Sequence, residues 1–126
     1  MTIENMIDKK FVYAVAGVST DSDKYGHQVF KDLLTGGFTV YPLNPKAEEV
    51  LGRKVYGKLD ELPEQIDVLI IVTPPPMTDK LVREAISKGV KKIWMQPGSF
   101  TQETIECCTD NDVEFIAGAC IMTERK

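Results

Sequence analysis

Histidine is almost missing: His27 is the only one in 126 residues. A Ser-His-Asp arrangement would have to use it, and no G-x-S-x-G elbow accompanies it, so no catalytic residue is nominated. His27 is expected instead to pack or cap near a helix start. Cysteine is also sparse, and Cys107, Cys108 and Cys120 form neither a C-x-x-C pair nor a zinc-site spacing. Neighbouring Cys107 and Cys108 make a poor disulfide framework, so a reducing compartment is the simpler setting and no metal site is expected. No apolar run approaches the ~20 residues that cross a bilayer. The opening Met1-Thr2-Ile3-Glu4-Asn5 lacks a basic segment followed by an apolar one, which implies a cytoplasmic protein with no membrane attachment. Positive charge is not in excess. A formal net charge of −4 and a pI near 5.0 argue against the broad electropositive surface used for nucleic acids. Any bound anion must be held locally. Internal repeats, low-complexity tracts and linkers are absent too, so residues 1–126 read as one domain.

What is present is a β/α alternation. Hydrophobic residues at 43% and charged residues at 27% are those of a chain with a packed core. Phe11 to Gly17 is a short apolar run suited to a strand covered on both faces. Val29, Phe30, Leu33 and Leu34 recur at helical spacing, and Gly36-Gly37 supplies the stop. Phe38 to Leu43 is a second strand, in which Pro42 is tolerable near an end or at an irregularity. From Lys46 to Pro63 the pattern is weaker: a helical turn is expected around Glu48 to Leu51, a short strand at Lys54 to Tyr56, and a turn at Leu59 to Leu62. Asp67 to Val72 is the clearest buried strand, ended by Thr73-Pro74-Pro75-Pro76. Leu81, Val82, Ala85 and Ile86 mark a helix stopping near Gly89. Lys92 to Met95, Thr101 to Asp110 and Glu114 to Ala117 read as strand, helix and strand, and polar Thr123 to Lys126 as a frayed end. The fold class is α/β: Rossmann-like, doubly wound, with a mainly parallel sheet of five to six strands in three layers.

Ligands of such sheets collect outside the carboxyl ends of the strands. Those ends carry Gly17-Val18-Ser19, Asn44-Pro45-Lys46, Thr73-Pro74-Pro75 and Gln96-Pro97-Gly98. Taken singly, each has the composition of an ordinary turn. The first loop is the most informative. Gly17 and Gly26 bracket Ser19, Lys24 and Tyr25 just before a helix, whose N–H groups and dipole attract phosphate. Ser19 can hydrogen-bond a phosphate oxygen and Lys24 can offset its charge. This is not G-x-G-x-x-G, because Ser19 replaces the second glycine and the loop is longer. An NAD-selective domain places an acid after the second strand to accept the ribose hydroxyls. Here Asn44 and Lys46 stand instead, and an ammonium group attracts a phosphorylated ribose that a carboxylate would repel. Coenzyme A or NADP is therefore favoured over NAD. Thr73, Pro74 and Pro75 offer a rigid wall with one hydroxyl. Asp21, Asp23 and Asp79 are explained by turn-making and N-capping, and Cys120 as a small core residue.

The segments Val15-Ala16-Gly17-Val18-Ser19, Lys24-Tyr25-Gly26, Val40-Tyr41-Pro42-Leu43-Asn44-Pro45-Lys46, Asp67-Val68, Trp94-Met95-Gln96-Pro97-Gly98 and Cys120-Ile121-Met122 together resemble the stand-alone CoA-binding domain family. That family is similar to the amino-terminal domain of the succinyl-CoA synthetase alpha subunit. The resemblance runs from Phe11 to Met122. It implies that Val18, Ser19, Lys24, Tyr25 and Gly26 surround a diphosphate. Asn44, Pro45 and Lys46 would meet the adenosine end and its ribose phosphate, Thr73, Pro74 and Pro75 would form the opposite wall, and Gln96, Pro97 and Gly98 would face the thiol arm. Members often carry Arg or Asn where this chain has Ala119. The synthetase's phosphohistidine belongs to a second domain outside these residues, so that role does not transfer to His27. The function expected is non-covalent binding of coenzyme A or an acyl-CoA without intrinsic catalysis. The alternatives are an NADP-dependent oxidoreductase module and a detached subunit of a multi-chain acyl-CoA ligase. The expected protein partner is a second copy or a ligase-type subunit.

Overall fold

Tyr13, Ala14, Val15 and Ala16 are all shut off from solvent, as a continuous apolar run requires when both faces of its strand are covered. In the computed structural model, which describes residues 3–125, they lie in β1 (Val12–Ala16). After it come α1 (Tyr25–Thr35), β2 (Thr39–Leu43), the short β3 (Glu49–Val50) and β4 (Arg53–Lys54), β5 (Val68–Ile71), α2 (Pro75–Ser87), β6 (Lys92–Met95), α3 (Gln102–Asp110), β7 (Glu114–Ala117) and α4 (Ile121–Glu124). Five strands form one sheet in the order β2-β1-β5-β6-β7, with every neighbouring pair parallel. The chain is thus a Rossmann-like doubly wound α/β fold.

Successive residues of a strand point to opposite faces. Tyr13, Val15, Val40, Val68, Ile70 and Trp94 pack with Val29, Phe30 and Leu33 of α1 and Ile121 of α4. Ala14, Ala16, Leu69, Ile71, Ile93 and Met95 pack on the other side with Val82 and Ala85 of α2 and Cys108 of α3. Three layers result. Pro42 lies in β2, an edge strand, where proline is tolerated. No helix among the described residues is long and apolar enough to cross a membrane.

Four local expectations are corrected. Glu48 to Leu51 is not a helical turn: β3 and β4 pair antiparallel around Leu51 and Gly52, both at positive φ (50° and 74°). That two-residue connection matches the twist of a hairpin, and Lys54, opposite Glu49 in register, sets its ammonium 5.3 Å from the Tyr56 ring centroid. The short strand expected at Lys54 to Tyr56 is split, Arg53–Lys54 pairing in the hairpin and Tyr56 bridging Leu43 of β2. The prolines after β5 also begin α2: Pro74 is its N-cap and Pro75 its first residue, where a missing N–H loses no helical bond. Residues 123–125 are not frayed, since Thr123 and Glu124 end α4 and the Arg125 guanidinium donates to the Asp32 carboxylate at 2.6 and 3.1 Å. Met1, Thr2 and Lys126 lie outside the described residues.

Candidate functional site

Pairing of β1 with both β2 and β5 brings three carboxyl ends together, and the strand order reverses between β1 and β5. That reversal is where open α/β sheets bind ligands. A groove of about 670 Å³ opens there, within the size range of small-molecule sites. Gly17, Asn44, Pro45, Lys46, Thr73 and Pro74 line it, together with Leu59, Met77 and Leu81. Its ionisable lining is Lys46, Lys58 and Lys80 against the single carboxylate of Glu84. A chain of net charge −4 therefore turns a locally positive surface toward this groove.

Close backbone contact shapes the floor. Gly17 has φ +98°, and a Cβ there would stand 3.2 Å from the Thr73 backbone nitrogen. At Gly26 a Cβ would come within 2.1 Å of the Gly17 carbonyl oxygen, so the first turn of α1 rests directly on the loop after β1. Asn44 ties two loops together: its Nδ2 donates to the Val18 carbonyl at 2.7 Å, while its Oδ1 accepts from the Lys46 N–H at 2.9 Å. His27 is buried with Nδ1 2.9 Å from the Ser19 carbonyl, an acceptor only, so that nitrogen carries the proton. It packs near the helix start, as expected. The Ser19 Oγ accepts from the Asp21 N–H at 3.0 Å, and Asp21 Oδ1 accepts from the Asp23 N–H at 2.9 Å, which are turn-making roles. Asp79 does not cap its own helix; it accepts from Thr104 Oγ1 at 2.5 Å and joins α2 to α3.

A second cluster lies where Tyr25 of α1, Gln96 after β6 and Cys120 before α4 meet. The Gln96 amide donates to the Tyr25 hydroxyl at 2.7 Å, and that hydroxyl donates to Cys120 Sγ at 2.9 Å. Gln96 Oε1 accepts from the Ile121 N–H at 2.9 Å, so a fully buried amide is satisfied internally. Burial pushes the Cys120 thiol up, but hydrogen bonds from Tyr25, Gln96 and the backbone of Met122 and Thr123 outweigh it and hold the thiol below its ordinary value. The Tyr25 phenol is raised, first by burial and then by its bond to Cys120. The core cysteine is Cys108, fully buried and pushed up to about 11. Cys120 is half-buried rather than a core residue.

The positions nominated from sequence therefore divide. Gly17, Asn44, Pro45, Lys46, Thr73 and Pro74 share the groove, whereas Val18, Ser19, Lys24, Tyr25, Gly26 and Pro75 are not among its lining. Val18 is buried with its N–H directed to the Leu43 carbonyl and its carbonyl taken by Asn44. Gly26 abuts Gly17 of the groove floor, while Tyr25 is bonded into the second cluster. Gln96 is occupied by the second cluster. Sequence reasoning missed Lys58, Met77 and Lys80. The last two are on α2, in its first turns ahead of the periodic residues Leu81 to Ile86 that mark the helix in the sequence, and Lys58 precedes the 3-10 turn Leu59–Glu61 in the stretch of weakest pattern.

A doubly wound parallel sheet with a lysine-edged groove at its switch point defines a Rossmann-like nucleotide-cofactor domain. Residues 12–126 match the CoA binding domain family, and the chain belongs to it. It is 31% identical over 120 residues to the ADP-forming acetate–CoA ligase I of Archaeoglobus fulgidus, covering 87% of this chain and 18% of that protein. It is 42% identical over 81 residues to the alpha subunit of the ADP-forming acetate–CoA ligase II of Pyrococcus furiosus, covering 64% of this chain and 18% of that subunit. The chain thus spans about a fifth of the length of these ligase relatives. A conserved hypothetical protein from Pyrococcus furiosus superposes with a TM-score of 0.86 at 39% identity, covering 90% of this chain and 98% of the other.

Proposed function

We propose that this domain binds coenzyme A or an acyl-CoA non-covalently, in the cytoplasm, and that its own contribution is binding rather than a reaction. The observation that carries the proposal is the groove at the ends of β1, β2 and β5, positively biased in an acidic chain of the CoA binding domain family. Lys46 attracts the ribose phosphate, and Asn44 acts by holding the Lys46 backbone against the Gly17-Val18 loop. Pro45 meets the adenosine, and Thr73 and Pro74 form the facing wall, while Pro75, outside the groove lining, starts the helix that carries the wall onward. Ser19, Lys24, Tyr25 and Gly26 place the first turn of α1 toward the diphosphate, with Val18 buried beneath them as support.

Isothermal calorimetry with coenzyme A and dephospho-coenzyme A tests this. Tighter binding of the phosphorylated form is expected, and Lys46→Ala should weaken it roughly threefold to tenfold, the range of a solvent-accessible charge contact. Equal affinity for both ligands would remove Lys46 from the ribose-phosphate site. A second reading, that the domain is a detached subunit of a multi-chain acyl-CoA ligase, is favoured by the likeness to a ligase alpha subunit. Recovery of the tagged protein from its native host together with a nucleotide-binding ligase subunit would support it. Recovery alone or as a homodimer would count against it.

A further inference from the structure

Lys58 reaches the groove by a route the nominated motifs do not include. The Tyr56 N–H donates to the Pro42 carbonyl at 3.0 Å, and the Tyr56 carbonyl accepts from the Asn44 N–H at 2.9 Å. Tyr56 therefore bridges the end of β2 in the parallel sense, and a Cβ on Gly57 would stand 3.8 Å from Pro45 Cα. Lys58, the next residue, is carried along the Asn44-Pro45-Lys46 loop. Buried Leu59 anchors the 3-10 turn that follows it. The adjacent carboxylate of Glu61 is turned back to accept from the Gly57 N–H at 3.1 Å. Lys46 and Lys58 are both exposed, both line the groove, and neither takes part in an ion pair among the described residues. Lys80 stands on the opposite wall, on α2, with the one carboxylate of the lining, Glu84, a helical turn further along.

A phosphate monoester carries about −1.5 to −2 charges near neutral pH, so a single lysine leaves it only partly compensated. We infer that Lys58 is the second cation of a two-lysine ribose-phosphate subsite and a specificity-determining residue of the groove. The inference rests on the groove being the cofactor site. The shared chemistry is a phosphate monoester on an adenosine ribose, which coenzyme A and NADP both supply.

Calorimetry at low ionic strength on the unmodified protein, Lys58→Ala and Lys58→Arg tests it with two ligand pairs: coenzyme A against dephospho-coenzyme A, and NADP against NAD. Circular dichroism confirms that the variants fold, as exposure of Lys58 leads one to expect. Lys58→Ala should reduce the preference for the phosphorylated member roughly threefold to tenfold, leave the other member's affinity unchanged, and flatten the salt dependence. Lys58→Arg should keep the preference. A preference seen only in the NADP pair, and lost in Lys58→Ala, would uphold the subsite while overturning the coenzyme A reading. Equal weakening of both members of a pair, an unchanged preference in Lys58→Ala, or no preference in the unmodified protein would overturn the role of Lys58.

Discussion

Gly26 occupies the first turn of α1, where alanine would ordinarily favour a helix by about 1 kcal/mol. Packing reverses that preference, because the added methyl would meet the Gly17 carbonyl at 2.1 Å, and backbone cannot yield as a flexible side chain can. Gly26→Ala should therefore destabilise the protein by about 3 kcal/mol, the upper range for overpacking, with urea unfolding as the measurement. Cys120 supports a second residue-level expectation. Its pKa is depressed by hydrogen bonds, chief among them that of Tyr25, working against burial. Removing the phenol oxygen in Tyr25→Phe should raise the thiol pKa and slow its alkylation at neutral pH. Site-resolved iodoacetamide labelling across pH would show Cys120 titrating below the ordinary thiol value in the unmodified protein and Cys108 reacting last. An unmoved Cys120 midpoint in Tyr25→Phe would discard the role given to the phenol. The sign for stability also follows: a depressed thiol pKa contributes fully above the unfolded value, and that contribution is lost as pH falls through the folded value.

At the level of elements, the hairpin β3–β4 is the clearest target. Leu51 holds φ 50° while 43% exposed, so it accepts left-handed strain without the compensation of deep burial. Leu51→Asn, which creates an Asn-Gly turn, should stabilise the protein by about 0.5–1 kcal/mol, visible as a higher urea midpoint at unchanged slope. This is also where sequence reading failed, and for the same reason: Leu-Gly does not advertise a two-residue turn as Asn-Gly does. The buried strands were legible because Val68–Ile71 and Tyr13–Ala16 must be apolar on both faces. The helix after β5 is legible from Leu81 to Ile86 but its start is not, since three successive prolines read more readily as a stop than as an N-cap and first turn. The site divides along the same line. Asn44-Pro45-Lys46 could be found because it follows a clear strand, whereas Lys58 is placed by a single long-range bridge from Tyr56 that no local pattern announces. The bonds joining Tyr25, Gln96 and Cys120 likewise connect segments far apart in the chain, so composition alone describes Cys120 poorly.

For the molecule as a whole, charge acts at two distances. The net −4 repels an anionic cofactor from afar, but at physiological salt such repulsion is screened within about 8 Å. Inside the groove, three lysines face one glutamate, and the apolar walls contributed by Leu59, Met77 and Leu81 reduce the screening available to them. A ligand held there binds the folded chain and not the unfolded one, so it must raise the melting temperature by mass action. At 100 times Kd the gain is about 2.7 kcal/mol, which for a chain of 126 residues corresponds to roughly 10 °C. Heating scans with coenzyme A, dephospho-coenzyme A, NADP and NAD at one common concentration should give the largest shift with coenzyme A, a smaller one with dephospho-coenzyme A, and a decline in both as salt is added. A larger shift with NADP would transfer the groove to a nicotinamide cofactor. Shifts indifferent to both phosphate and salt would mean that the lysines do not touch the ligand, and that its binding rests on the apolar walls alone.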